Sequence, residues 1–86
     1  MPELSRFYGI IIAMYYDDHV PPHFHIRYGR QRAIMAVDNL MIIEGDVSPR
    51  VRGLVTEWAA SHREALQEDW DLARQHLPLK SIPPLE

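Results

Sequence analysis

Residues 15–28 hold most of the side chains in this sequence that could do chemistry. This stretch contains three of the five histidines, two aspartates, one arginine and four aromatic residues. After two prolines, its last six residues alternate between polar and apolar types, and side chains on a strand alternate between its faces. The predicted polar face carries His23, His25 and Arg27. The predicted apolar face carries Phe24, Ile26 and Tyr28. The sequence therefore predicts a strand with one cationic face.

Histidine and arginine on one strand face are suited to cleaving an RNA phosphodiester. Attack by the 2′-hydroxyl needs a general base, a general acid for the leaving oxygen, and a cation beside the phosphate. Histidine titrates near neutral pH, and arginine binds phosphate through two hydrogen bonds. We therefore predict catalytic roles for His23, His25 and Arg27, with no cofactor. The predicted substrate-binding residues are Arg30, Arg32 and His19.

The same stretch is also compatible with a metal site. Histidines two apart on a strand point the same way, roughly 6.5–7 Å apart, so both can reach one ion. The chain has no cysteine, so a metal would rest on histidine, aspartate or glutamate. The candidate ligands are His23, His25 and Asp18, with Asp17 and His19 as further candidates for the third position. A structural interpretation stays open as well, in which both histidines are hydrogen-bonded on a half-exposed strand.

Length and composition predict one small domain over residues 1–86. The chain is 47% hydrophobic, but a domain of this size buries only roughly 60% of its unfolded surface. The longest apolar run is too short to cross a bilayer, no targeting signal precedes it, and the lack of cysteine suits the cytoplasm. The net charge of −3 argues against binding nucleic acid by bulk charge, although the arginines near the histidines could form a local anion site.

Alternating and apolar segments predict an antiparallel sheet. Residues 7–16 are apolar on both faces and are predicted as a central strand. His23–Tyr28 is the second predicted strand, and Gly29 provides a tight turn into a third strand at about residues 31–37. Asp38 and Asn39 indicate another turn, followed by a short strand over residues 40–44. The result is a meander of three or four strands.

The second half of the chain predicts one long helix and an arm. Ser48 is a suitable N-cap with Pro49 at the first helical position, and apolar residues recur at helical spacing from there to about residue 75. Trp58 and Trp70 lie on that stripe and are predicted as core or interface residues. Residues 76–86, with three prolines, are predicted as an extended arm. The fold class is therefore α+β: an antiparallel three- to four-stranded β-meander, one long C-terminal helix and a proline-rich arm.

Several segments resemble a small bacterial family known as domain of unknown function 4160. They are residues 6–12, 14–19, 21–28, 57–58 and 79–85, and they include the motif Pro-Pro-His-Phe-His at 21–25. The resemblance implies a cytoplasmic prokaryotic protein, often encoded beside another small domain as in toxin–antitoxin pairs. A topological analogy also links the chain to mRNA-interferase toxins, which place a histidine at the start of a strand before a hairpin and a helix. Neither the family resemblance nor the toxin analogy assigns a catalytic residue to this sequence.

Two functional hypotheses follow. The first is a toxin–antitoxin-like component that binds or cleaves RNA through the strand with His23, His25 and Arg27. The second is a non-enzymatic interaction module, with structural or metal-binding histidines, that pairs with a small protein encoded nearby. Whether the protein is an enzyme stays open. Because one helix can cover only one face of the two-sided first strand, we also expect a homodimer or a heterodimer.

Overall fold

The computed structural model describes residues 2–86, which form five strands followed by two helices. The strands are β1 (Glu3–Phe7), β2 (Ile10–Ala13), β3 (His23–Tyr28), β4 (Gln31–Ala36) and β5 (Ile42–Asp46). The helices are α1 (Pro49–Ala60) and α2 (Arg63–Arg74). All strands join one antiparallel sheet in the order β1-β2-β3-β4-β5. No helix within residues 2–86 is long and apolar enough to span a membrane. The architecture is α+β, but the predicted numbers of strands and helices are wrong.

Residues 7–16, predicted as one strand, instead contain the end of β1, a turn and the whole of β2, which form a hairpin. Tyr8 and Gly9 form its turn with φ values of 50° and 80°, and two successive positive φ angles let a two-residue turn join twisted strands. Phe7 therefore pairs with Ile10 across the hairpin. Because β1 and β2 are separate strands, the sheet has five strands rather than three or four.

The predicted single helix over residues 49–75 is also wrong, because the chain turns at Ser61 and His62. The N–H of Ser61 donates to the carbonyl of Trp58, and the N–H of His62 donates to that of Ala59. A straight helix over this range would be about 40 Å long, whereas the largest dimension of the molecule is 33 Å. The turn keeps the apolar face of α2 on the core, where Leu66 is buried.

The start of α1 follows the local rules for helix capping. The side chain of Ser48 accepts a hydrogen bond from the N–H of Val51, and Pro49 occupies the first helical position. Such a cap satisfies one of the N–H groups that the first turn of a helix leaves unpaired. The helix then places Trp58 against Phe7 and Phe24 of the sheet, with ring centroids 5.4 and 6.1 Å apart.

The C-terminal segment, residues 77–86, contains no helix or strand and packs on its own chain. Ile82 is buried in the core, and its N–H donates to the carbonyl of Leu4 at 2.8 Å. The indole N–H of Trp58 donates to the carbonyl of Pro83, also at 2.8 Å. The segment therefore joins β1 to α1 as part of the domain core.

The apolar surface expected on the first strand is largely absent. Phe7, Ile10, Ile12 and Met14 are all buried in the core of their own chain, and Ile11 is half-buried. The sheet face opposite the core carries a groove, and we call it the open face. Dimerisation stays a prediction, but the two-sided first strand no longer supports it.

Candidate functional site

The loop between β2 and β3 carries Asp18 to the start of β3. Asp17 has a φ of 57°, and its carboxylate lies 3.0 Å from Nε2 of His76, just beyond α2. The ring of Tyr16 stacks on the same imidazole, with centroids 6.1 Å apart. These contacts join the loop to the end of α2. Asp18 faces the other way, and its Oδ1 accepts the N–H of His19 at 2.9 Å.

Asp18, His23 and His25 form a compact cluster. Oδ2 of Asp18 lies 2.8 Å from Nε2 of His23 and 3.2 Å from Nε2 of His25. One ligand atom from each residue lies within 4.8 Å of the other two. The two histidines share a face of β3, as the two-residue spacing predicts. The structure thus brings together the three residues predicted as metal ligands.

The backbone fixes the orientation of His23. Its Nδ1 lies 2.7 Å from the carbonyl oxygen of Pro21, and a carbonyl only accepts, so Nδ1 carries the hydrogen of that bond. In a neutral imidazole, the lone pair is then on Nε2, the atom that faces Asp18. The ring packs against Trp70 of α2, with centroids 5.0 Å apart, and only 3% of the side chain is exposed. The catalytic role predicted for His23 would require an accessible side chain, but Trp70 buries it.

His25 forms the open side of the cluster. Its side chain is 27% exposed, and the ring of Tyr15 stands nearly perpendicular to it at a centroid distance of 4.4 Å. A ligand approaching from the open face would therefore meet His25 before His23.

The cluster gathers atoms that all attract a cation. Burial is the largest single influence on Asp18 and raises its pKa, but hydrogen bonds from His25, His23 and the His19 amide together outweigh it. The pKa of Asp18 is therefore held below its ordinary value of 3.8, so the carboxylate is charged at neutral pH. Nε2 of His23 donates to this carboxylate when it carries a hydrogen, and it presents a lone pair to the carboxylate oxygen at 2.8 Å when the only hydrogen is on Nδ1. A metal ion between the two atoms would satisfy both.

A groove of ≈ 260 Å³ on the open face continues from His25. Arg27 of β3 and Arg32 of β4 both line it and lie directly opposite each other in the strand pairing. The other lining residues are Ile11, Ala13, Tyr15, Ile26, Ala33, Ile34, Glu44 and Gly45. The groove therefore combines an apolar floor with two arginines and one carboxylate.

The remaining predicted site residues lie outside this arrangement. His19 is exposed and does not line the groove; its Nδ1 lies 3.1 Å from Oδ1 of Asp18, and its ring centroid lies 5.6 Å from that of His23. Arg30 is exposed beside Gly29 in the β3–β4 turn and does not line the groove. Of the predicted substrate-binding residues, only Arg32 lies in it.

Sequence reasoning did not assign three residues to the site. Trp70 was predicted as core, and it is buried, but it also forms a wall of the pocket around His23. Tyr15 was placed in the first strand, and Glu44 reaches the groove only through the pairing of β5 with β4. The concentration of aromatic residues near the histidines could have indicated that Tyr15 belongs to the site. The position of Glu44 could be found only from the strand register.

Comparison with known proteins identifies a family. Residues 9–71 match the model of the family described as domain of unknown function 4160. Neither the curated proteins nor the solved structures include a match to this chain. The matched range contains the whole Asp18, His23 and His25 cluster and both groove arginines. Because the match covers more than half of the sequence, the chain belongs to the family of domain of unknown function 4160.

Proposed function

We propose that this protein binds a divalent transition-metal ion through Asp18, His23 and His25, and that the bound ion is its reactive centre. The convergence of one carboxylate oxygen and two imidazole nitrogens carries the proposal. Ligands at 2.0–2.2 Å from a tetrahedral ion lie roughly 3.3–3.6 Å from one another. The separations of 2.8 and 3.2 Å from Oδ2 of Asp18 to the two nitrogens are shorter than this, so a small outward movement of the side chains would make room for an ion.

The ligand types favour particular metals. Two imidazoles and one carboxylate suit zinc, iron(II), cobalt(II) or nickel(II), whereas calcium and magnesium favour all-oxygen sites. The hydrogen bond from Nδ1 of His23 to the carbonyl of Pro21 is the kind of support that orients metal-binding histidines. Three protein ligands leave a position for water or substrate, as in catalytic zinc sites. A zinc ion held by these residues would lower the pKa of its bound water to about 7 and so would favour metal-assisted hydrolysis.

The surroundings of His23 favour this role over metal-free acid–base catalysis. A general acid or base must approach the substrate within hydrogen-bonding distance. The His23 side chain is only 3% exposed, and both of its nitrogens face protein atoms. A metal ligand needs no exposure, so burial is compatible with that role. RNA cleavage and a toxin–antitoxin-like role stay predictions; a phosphodiester is one substrate that such a centre could hydrolyse.

A cobalt titration tests the proposal. The protein is first treated with a chelator, and cobalt(II) absorption and zinc calorimetry are then followed to saturation. We expect one ion per chain and at least tenfold weaker binding in Asp18→Asn. Asp17→Asn is the matched control, because this neighbouring carboxylate pairs with His76 outside the cluster. Absence of stoichiometric binding, or equal affinity in Asp18→Asn and the wild type, would overturn the proposal.

A separate observation favours the interaction-module hypothesis. Strand β5 is an edge of the sheet, and Met41 and Ile43 beside and within it are 63% and 50% exposed. Edge strands with apolar side chains are templates for pairing with another strand. We propose β5 as the contact in a two-fold dimer. Sedimentation at micromolar concentration tests this: a wild-type dimer should become monomeric in Ile43→Lys but not in Leu77→Lys. A monomeric wild type would exclude the dimer.

A further inference from the structure

We infer that the groove beside the cluster binds a phosphate group of its ligand through Arg27 and Arg32. This inference rests on the proposed metal site, since it describes how a ligand would be held next to that ion. The ligand class is a phosphate ester, either a small phosphomonoester or one nucleotide unit of RNA. The supporting observations are the charge of the groove, its continuity with the cluster, and its size.

The two arginines are a pair of positive charges whose guanidinium groups form no salt bridge within the described residues. They are direct cross-strand neighbours, and like charges in that position destabilise a sheet. No side-chain hydrogen bond or ion pair joins either guanidinium group to another residue in the range 2–86. The nearby acids have closer partners. Glu3 binds Arg6, which lowers the pKa of this carboxyl, although the charge of Arg27 also lowers it. Asp46, the cross-strand neighbour of Arg32, binds Arg52.

Glu44 is the single carboxylate among the groove-lining residues. It lies opposite Ile34 rather than Arg32 in the strand pairing. Two guanidinium groups beside one carboxylate leave the groove with net positive charge. A bound dianion would relieve the repulsion between the arginines, and paired guanidinium groups match the geometry of phosphate oxygens.

His25 connects the groove to the cluster. It contributes a ligand atom to the cluster and also lines the groove. Arg27 follows it by two residues on the same face of β3, which places their Cα atoms roughly 6.5–7 Å apart. A phosphate on Arg27 would therefore lie within the length of a small ligand from an ion held by His25.

The size of the groove limits the ligand. Its volume of ≈ 260 Å³ is slightly below the range of about 300–1,000 Å³ that is usual for small-molecule sites. Ile11, Ala13 and Ile34 supply apolar surface beneath the arginines, and Tyr15 stands at the end near His25. These dimensions fit a single phosphorylated unit and not a broad nucleic-acid surface.

Calorimetry with two probes tests the inference. The probes are uridine monophosphate and a five-nucleotide oligouridylate without terminal phosphates, each titrated into chelator-treated protein. We expect at least one probe to bind, and its affinity to fall on the order of tenfold or more in Arg27→Gln and Arg32→Gln, as loss of a charge-assisted contact implies. Arg30→Gln is the matched control, since it removes the same charge from the adjacent turn. Its affinity should stay within about twofold of the wild type.

The outcomes separate this inference from the proposed function. Binding of uridine monophosphate alone identifies a small phosphomonoester site, and comparable binding of the oligouridylate identifies RNA; both support the inference. If neither probe binds, or if the Arg27 and Arg32 variants match the control, the phosphate site is refuted, even where zinc binds. If phosphate binding depends on both arginines but zinc does not bind, the metal function fails and the phosphate site stands. A thermal unfolding midpoint no lower than that of the wild type excludes misfolding of the variants.

Discussion

Replacing His23 and His25 separately with alanine should separate folding from metal binding. His23 is buried against Trp70 and contacts both Pro21 and Asp18. His25 is partly exposed and makes one hydrogen-bonding contact, to Asp18 at 3.2 Å. The two residues hold equivalent positions in a ligand set but very different positions in the fold. Alanine should therefore destabilise the metal-free protein unequally at the two positions but reduce the stabilisation by zinc equally.

The expected magnitudes follow from these contacts. In metal-free protein, His23→Ala removes one neutral hydrogen bond of about 1 kcal/mol and one to a charged group of about 1.5–3 kcal/mol. It also leaves a cavity beside Trp70, so we expect a total loss of about 3–5 kcal/mol in the free energy of unfolding. His25→Ala removes one partly solvated contact, for a loss of about 1 kcal/mol.

Zinc should then stabilise only the wild type. At free zinc near 100 times the dissociation constant, binding adds about 2.7 kcal/mol to the free energy of unfolding. For a domain of this size, that raises the Tm by roughly 10–20 °C. Each variant lacks one of three ligands, so each should lose most of this increment.

Urea and thermal unfolding, with chelator and with zinc, measure all these quantities on the same samples. Retention of the full zinc increment by either variant would refute the ligand assignment. Equal destabilisation of the two metal-free variants would refute the structural distinction between them, whatever zinc does.

Three further predictions concern the core, a glycine and a buried acid. Ile82→Ala should lower the free energy of unfolding by about 2–5 kcal/mol, against less than about 0.5 kcal/mol for the exposed Leu77→Ala; similar urea midpoints would contradict this. Gly45→Ala should lower the Tm more than Gly29→Ala, because a Cβ at Gly45 would lie 2.4 Å from a carbonyl oxygen, whereas nothing lies within 4 Å at Gly29; equal shifts would argue against the close contact. Burial is the main influence on Asp69 and raises its pKa above 3.8, although the Lys80 amide opposes it. The folded state thus binds the proton more tightly, and stability falls as pH rises from 3.8 through the folded-state pKa. Relative to the wild type, Asp69→Asn should therefore gain stability as the pH is raised above 3.8 in urea titrations; parallel pH profiles would contradict this.

The polar face of β3 was predictable because a strand has a strict period of two. That rule placed His23 and His25 together and Phe24 and Ile26 in the core. The third member of the cluster was not decided by periodicity. Asp17 and Asp18 are adjacent and chemically identical, and the loop backbone directs the first toward His76 and the second toward the cluster.

The two errors in the fold have a common cause. Residues 7–16 continue an apolar pattern through the Tyr8–Gly9 turn, and the apolar stripe of the helices continues through Ser61 and His62. Local patterns report which residues are apolar, but the dimensions of the whole molecule decide where an element must end. The groove could not be predicted from local patterns either, because Arg27 lies opposite Arg32 only through the register of β3 and β4.

The hydrogen bond from Ile82 to Leu4 joins residues near opposite ends of the described chain. Contacts between segments so far apart in sequence carry a large loop-closure cost and form once the intervening elements are in place. The C-terminal segment should accordingly dock late in folding and detach in partial openings of the native state. The amides of Lys80 and Ile82 should then exchange with solvent deuterium sooner than those of β3. Each such opening would uncover Trp58, so indole fluorescence quenching offers a direct record of how often the segment leaves the core.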